Sequence, residues 1–146
     1  MSDSPKRILC VCLGNICRSP TAEAVLRAHL PEAEIESAGT GSWHVGEPPH
    51  GPAIEAALAR GYDLSAQRAR QVTPDDFQRF DLILAMDARN MEDLRSIAPA
   101  ASRASLSMFL EPVGGGDVPD PYYTRDFEGA LDLIARAAQA WAMRLR

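Results

Sequence analysis

The chain is poor in cysteine and has no long apolar run. Its cysteines stand at positions 10, 12 and 17 only, an odd number in one short stretch. They cannot build the disulfide framework that staples small secreted proteins. A reducing cytoplasm is the expected setting, with export by an unconventional route left open. No segment approaches the roughly 20 apolar residues of a membrane span, and MSDSPKR lacks the apolar region and cleavage site of a secretory signal. Membrane insertion is not expected. Basic residues are also scarce: 15 Lys and Arg against 20 Asp and Glu leave a formal net charge of −5, whereas nucleic-acid binders carry a basic excess. No nucleic-acid partner is expected, and any anion site must be local. His29, His44 and His50 have no ligand spacing with the cysteines or one another, so no metal or other cofactor is expected.

What is present fits an ordinary folded domain. With 146 residues, 46% of them apolar, the chain is long enough to bury roughly two thirds of its unfolded surface, and residues 1–146 read as one domain. Ile8 to Cys12 is a continuous apolar run, the pattern of a strand covered on both faces. From Ser19, the positions Ala22, Val25, Leu26 and Leu30 recur at helical spacing, with Pro20 in the first turn and Glu23 near the positive end of the helix. Further strands are expected over 33–38, 81–86 and 106–110. Helices are expected over 52–60, from Thr73 as N-cap through Phe80, over 89–97, and from Phe127 to the C-terminus. Long Gly/Pro-rich loops fall at 39–52 and 111–124. The alternation predicts an α/β three-layer sandwich with a parallel sheet.

Between the first strand and the first helix lies CLGNICRS, Cys12 to Ser19. The first N–H groups of a helix have no intrahelical acceptor, so a loop entering one is a ready cradle for an oxyanion. Gly14 and Asn15 are the residues that accept a positive φ there. Arg18 adds a permanent charge and a planar fork suited to two phosphate oxygens. Cys12 shares the ring of donors, conditions that favour a thiolate, and Ser19 can donate to its sulfur. Such a nucleophile attacks a bound phosphomonoester to form a phosphocysteine, and the leaving group then needs a proton. Asp120, between Pro119 and Pro121 in the second long loop, is the candidate acid.

Cys12-Leu-Gly-Asn-Ile-Cys-Arg-Ser19 followed by Asp120-Pro-Tyr-Tyr123 closely resembles the low-molecular-weight protein tyrosine phosphatases. SAGT at 37–40, the Trp43 region, ARQ at 69–71 and DLILAMD at 81–87 extend the resemblance over nearly the whole chain. It implies a four-stranded parallel sheet with the phosphate loop after the first strand. It also implies Cys12 as nucleophile, Arg18 as transition-state clamp and Asp120 as acid, then base. Leu13, Gly14, Asn15, Ile16 and Cys17 would complete the phosphate loop, with Ser19 supporting the thiolate and Asn15 holding the loop through its side-chain amide. Trp43, Tyr122 and Tyr123 would line the substrate cleft. The partners implied are phosphotyrosine-containing proteins and a cognate tyrosine kinase. Gln67 stands where the family often has a histidine bonded to the loop asparagine, and is expected to keep that tether.

Blander roles compete at several positions. Cys10 reads as a buried apolar residue, and Cys17 as either a filler or a disulfide partner for Cys12 that guards against over-oxidation. Tyr122 and Tyr123 could be turn aromatics or kinase targets, and Trp43 a core residue. His44 fits either the cleft rim or plain surface, and Asp87 either the network behind the loop or a helix cap. Arsenate reduction would need further cysteines after Cys17, and none exists. An arginine phosphatase on the same scaffold is the main alternative, disfavoured by Ile16, Tyr122 and Tyr123; a non-catalytic phosphotyrosine-binding module would need neither thiol nor acid.

Overall fold

The computed structural model describes residues 6–146; residues 1–5, part of the segment read above for a secretory signal, lie outside them. Four strands, β1 (Arg7–Cys12), β2 (Glu34–Gly39), β3 (Leu82–Ala85) and β4 (Ser105–Met108), form one sheet in the order β2-β1-β3-β4 with every pairing parallel. The helices are α1 (Arg18–His29), α2 (Gly51–Leu58), α3 (Asp76–Arg79), α4 (Ala88–Ile97), α5 (Pro121–Thr124) and α6 (Phe127–Leu145). No helix among the described residues is long and apolar enough to cross a membrane.

Alternation along β1 divides the core. Ile8, Cys10 and Cys12 point to the side covered by α1 and α6, where Val25, Leu26, Ile134 and Trp141 pack. Leu9 and Val11 point to the other side, against Phe77, Phe80, Met91 and Leu94 of α3, α4 and their connections. A buried strand residue reaches only one layer, so a strand apolar at every position requires helices on both faces. Trp141 is anchored by its indole N–H, which donates to the Phe109 carbonyl at 2.8 Å. A third, smaller cluster of Ile16, Cys17, Ala53, Ala57, Leu64 and Ala69 lies beneath the phosphate loop.

Because β1 is central, the chain leaves its carboxyl end with β2 on one side and β3 on the other, the position where open α/β sheets form ligand crevices. The chain there is packed to backbone contact. A Cβ on Gly39 would sit 2.7 Å from the Leu13 carbonyl oxygen, so only glycine lets the end of β2 support the loop after β1.

Two elements differ from expectation. Thr73 does not cap a helix running to Phe80: the Asp76 carboxylate folds back to accept the Thr73 N–H at 2.8 Å, and helix begins only at Asp76. Asp-Pro-Tyr-Tyr is not loop but the start of α5, with the Asp120 carboxylate accepting the Tyr122 N–H at 3.0 Å and Pro121 in the first turn, where it needs no N–H partner.

Candidate active site

Cys12 ends β1 with its side chain buried at the floor of a cleft of about 340 Å³. Its sulfur accepts the Asn15 N–H at 3.3 Å and lies 3.0 Å from the Ser19 hydroxyl. That N–H points inward because Asn15 has φ 57°, a left-handed conformation asparagine tolerates better than most residues. Gly14 was expected to share this role and does not. Its positive-φ freedom is unused, and what it supplies is room, since a Cβ there would come within 3.0 Å of the His44 ring.

The Asn15 side chain organises the loop from behind. Its Oδ1 accepts the Arg70 N–H at 3.0 Å, while its Nδ2 donates to the hydroxyls of Ser19 at 2.8 Å and Ser37 at 3.0 Å. With the Ser19 oxygen already accepting from Asn15, the Ser19 proton has two acceptors in reach, the Ala38 carbonyl at 3.4 Å and the Cys12 sulfur at 3.0 Å, and the sulfur is the nearer and, as an anion, the stronger. The polarity therefore runs from amide to hydroxyl to sulfur, as a thiolate requires.

Gln67, expected to tether Asn15, reaches it only through Ser37. Its Nδ-equivalent amide, Nε2, donates to the Pro20 carbonyl at 3.0 Å, and its Oε1 lies 3.3 Å from the Ser37 hydroxyl. Ser37 has one proton, and the carboxylate of Glu23 at 2.8 Å is the stronger acceptor for it. Glu23, expected near the positive end of α1, is a buried acid behind the loop.

Burial raises the Glu23 carboxyl above its ordinary value, against the Ser37 hydrogen bond and the Arg27 charge, which both pull it down. Below the ordinary glutamate value both folded and unfolded chains hold the proton; as pH rises from there, the unfolded chain loses it first, and wild-type stability falls until the folded group also ionises. Glu23→Gln, which keeps an acceptor for Ser37, is expected to gain thermal stability relative to wild type between pH 4 and pH 7. Parallel melting curves at both pH values would show the carboxyl to be unperturbed.

Arg18 is buried at the entry to α1. One terminal nitrogen donates to Asp87 at 2.7 Å and the Val118 carbonyl at 3.0 Å, and the other approaches Asp120 at 3.4 Å. Of five guanidinium N–H groups these contacts use three, leaving Nε and one terminal N–H as a planar pair for two phosphate oxygens. Asp87 does both jobs weighed for it: one carboxylate oxygen holds Arg18, the other caps α4 through the Asn90 N–H at 2.7 Å. The burial cost on Arg18 is outweighed by the charge of Cys12 and then by Asp87 and Asp120, and its guanidinium stays charged with its pKa raised.

Leu13, Gly14, Ile16 and Cys17 line the cleft beside Cys12 and Arg18. Its rim is aromatic: Trp43 is 71% and Tyr123 73% exposed, with Tyr122 beneath, edge-on to Tyr123 and against His50. Trp43 is therefore not core, and His44 belongs to the rim, paired with Glu47. All three cysteines are free thiols. Burial holds Cys17 up at about 12 and puts Cys10 well above the usual thiol range, so both carry their protons at neutral pH. No group of three or more His, Cys, Asp or Glu among the described residues is placed to hold a metal.

Known proteins match this arrangement. The family model described as low molecular weight phosphotyrosine protein phosphatase covers residues 7–146. A low molecular weight protein-tyrosine-phosphatase from Streptomyces coelicolor is 46% identical over 90% of this chain and 88% of its own length, and YfkJ from Bacillus subtilis is 43% identical over 87% of each. Among solved structures, Vibrio vulnificus Wzb in complex with benzylphosphonate superposes with a TM-score of 0.90 at 41% identity, covering 96% of this chain and 99% of that one. With matching sequence, topology and loop, the chain belongs to the low molecular weight protein-tyrosine-phosphatase family and is an enzyme of that kind.

Proposed function

We propose that residues 1–146 act as a single catalytic domain that hydrolyses phosphotyrosine in proteins through a phosphocysteine on Cys12. The observation that carries this reading is the convergence on one sulfur of the Asn15 N–H, the Ser19 hydroxyl and the loop that carries Arg18. Cys12 attacks phosphorus in line with the phenolic oxygen. The P–O bond to the tyrosine breaks as the S–P bond forms, and Asp120 gives its proton to the departing phenolate. A water molecule, deprotonated by the same carboxylate, then attacks the phosphocysteine and frees phosphate and thiolate. Arg18 grips two phosphoryl oxygens throughout, fixed by Asp87 from behind. No metal or other cofactor takes part.

The aromatic rim supports the substrate class. Trp43 and Tyr123 offer faces to a phenyl ring, and Ile16 presents an apolar wall where a guanidino group would be left without partners. The reading places the enzyme in a reducing cytoplasm, on proteins phosphorylated by a cognate tyrosine kinase. The experiment is a comparison of one peptide carrying phosphotyrosine, phosphoserine or phosphoarginine. Phosphotyrosine is expected to lead in kcat/KM by about 10²-fold or more; preference for phosphoarginine would overturn the substrate assignment.

A further inference from the structure

The Asn15 amide has two ends, and they are held by different means. Its Nδ2 finds hydroxyls, which can rotate to accept. Its Oδ1 is fixed by a backbone N–H, that of Arg70. This N–H decides which way round the amide sits, and so whether Ser19 receives a donor and turns its own proton toward Cys12. The placement of residue 70 is therefore coupled to the nucleophile although Arg70 lies outside the cleft.

What places Arg70 is a buried acid that the reaction itself does not use. Asp76 is 1% exposed, yet it sits at the far end of the 70–76 segment from the loop. It binds the Arg70 guanidinium through both oxygens, at 3.0 and 3.1 Å, and also accepts the Thr73 N–H at 2.8 Å. Arg79 supplies a second cation at 3.3 Å, and Glu36 completes the cluster by accepting from both arginines at 3.4 Å. A carboxylate removed from water to this extent needs such partners, and once they are in place it holds them in one geometry. Between Arg70 and Val72 the chain also bonds Gly39 in both directions, Gly39 N–H to the Arg70 carbonyl and Val72 N–H to the Gly39 carbonyl, each at 2.8 Å. Gly39 in turn touches the Leu13 carbonyl side of the phosphate loop. The segment is clamped at one end by Asp76 and delivers a donor at the other.

We propose that Asp76 is a positioning residue for the catalytic loop, acting through the Arg70 backbone on the Asn15 amide and thence on Ser19 and Cys12. The proposal rests on the phosphocysteine reading above. It assigns a function to the fork between Asp76 and Arg70 that a surface ion pair would not have. The side chain of Arg70 anchors, while its main chain acts. The effect falls on thiolate support and on the leaving of sulfur from phosphocysteine, so it belongs in kcat rather than in the affinity for substrate.

The test is a mutant cycle in the full chain with p-nitrophenyl phosphate as substrate. Asp76→Asn is expected to lower kcat by about tenfold, up to 10²-fold, the size that small displacements of a reacting group produce, with KM changed less than about threefold. In a Ser19→Ala background the same substitution is expected to cost less than about threefold, because the relay it acts through is already cut. Asp81→Asn serves as control: Asp81 also accepts from an arginine, Arg103, and from the Arg7 N–H, but at the opposite end of the sheet. It is expected to lower the melting temperature without lowering kcat. Arg70→Met, which keeps the N–H and removes the fork at a half-exposed site, carries the same readings if Asp76→Asn fails to fold. Unchanged kcat in the folded variants, or an equal loss with and without Ser19, overturns the proposal. If the wild-type enzyme turns over and Cys12→Ser turns over equally well, it is the phosphocysteine reading that fails instead.

Discussion

Replacing Cys12 with serine is expected to lower turnover of p-nitrophenyl phosphate by roughly 10⁴-fold or more, the scale of losing a covalent nucleophile. The substitution exchanges one atom, and every contact around it argues that the atom's charge is what matters. The sulfur accepts from Asn15 and faces the Ser19 hydroxyl, an arrangement that stabilises an anion. A serine hydroxyl in the same place meets the same donors but keeps its proton, and nothing within hydrogen-bond reach is a base: Asp120 is bound to Arg18 across the cleft. The phosphate cradle and the Arg18 fork are untouched, so inorganic phosphate is expected to bind Cys12→Ser within about a few-fold of wild type, read by competition against a fluorescent ligand. Turnover that survives the change would remove the nucleophile from the mechanism.

The sequence made the local half of this site legible. Cys12, Arg18 and the loop between them lie within a single strand-loop-helix unit, and the chemistry of a helix entry needs only neighbours in the chain. Four strands and the long terminal helix were likewise readable, because β1 is apolar from Ile8 to Cys12 and α6 repeats its apolar residues for five turns. What could not be read were contacts between segments far apart in the chain. Asp87 lies 69 residues from Arg18, and an acid at a strand end looks the same whether it caps a helix or grips a guanidinium. In the sequence Asp76 is one more polar residue in the opening turn of a helix; its fork with Arg70 joins a cluster in which Arg70 and Arg79 bridge it to Glu36 of β2.

Short helices were the other blind spot. α5 has four residues, too few to show a period, so in the sequence Asp120 and the two tyrosines after it carry only the signals of a loop. The difference matters for function. As N-cap of α5, Asp120 sets the orientation of the turn that presents Tyr122 and Tyr123, so the expected acid and the expected cleft wall form one unit. Gln67 shows the converse. Its amide, expected to tether Asn15, is bonded to Ser37 and Pro20, and the acid beside Ser37 is Glu23, paired with Arg27.

The double duty of Asp120 dictates how its catalytic role must be tested. Asp120→Ala removes the proton donor and also the cap on the Tyr122 N–H, a loss of about 1 kcal/mol for a typical N-cap, which would loosen α5 and shift both tyrosines. Asp120→Asn keeps one oxygen, which can still accept the Tyr122 N–H and hold the cap, while its NH2 replaces the second carboxylate oxygen that lies 3.4 Å from Arg18, so the ionisable proton and the Arg18 contact are removed and the cap on α5 is not. With phosphotyrosine or phenyl phosphate, whose leaving groups are poor, Asp120→Asn is expected to lower kcat by about 10²- to 10³-fold, within the range for general acid catalysis. With p-nitrophenyl phosphate, whose leaving group needs less help, formation of the phosphocysteine is expected to suffer less, and burst kinetics should show the intermediate accumulating because the same residue is missing when water attacks. Asp120→Ala is expected to add a rise in KM for phosphotyrosine peptides, the signature of the displaced tyrosines. Equal losses for poor and activated leaving groups would mean that Asp120 steers Arg18 and α5 and donates no proton.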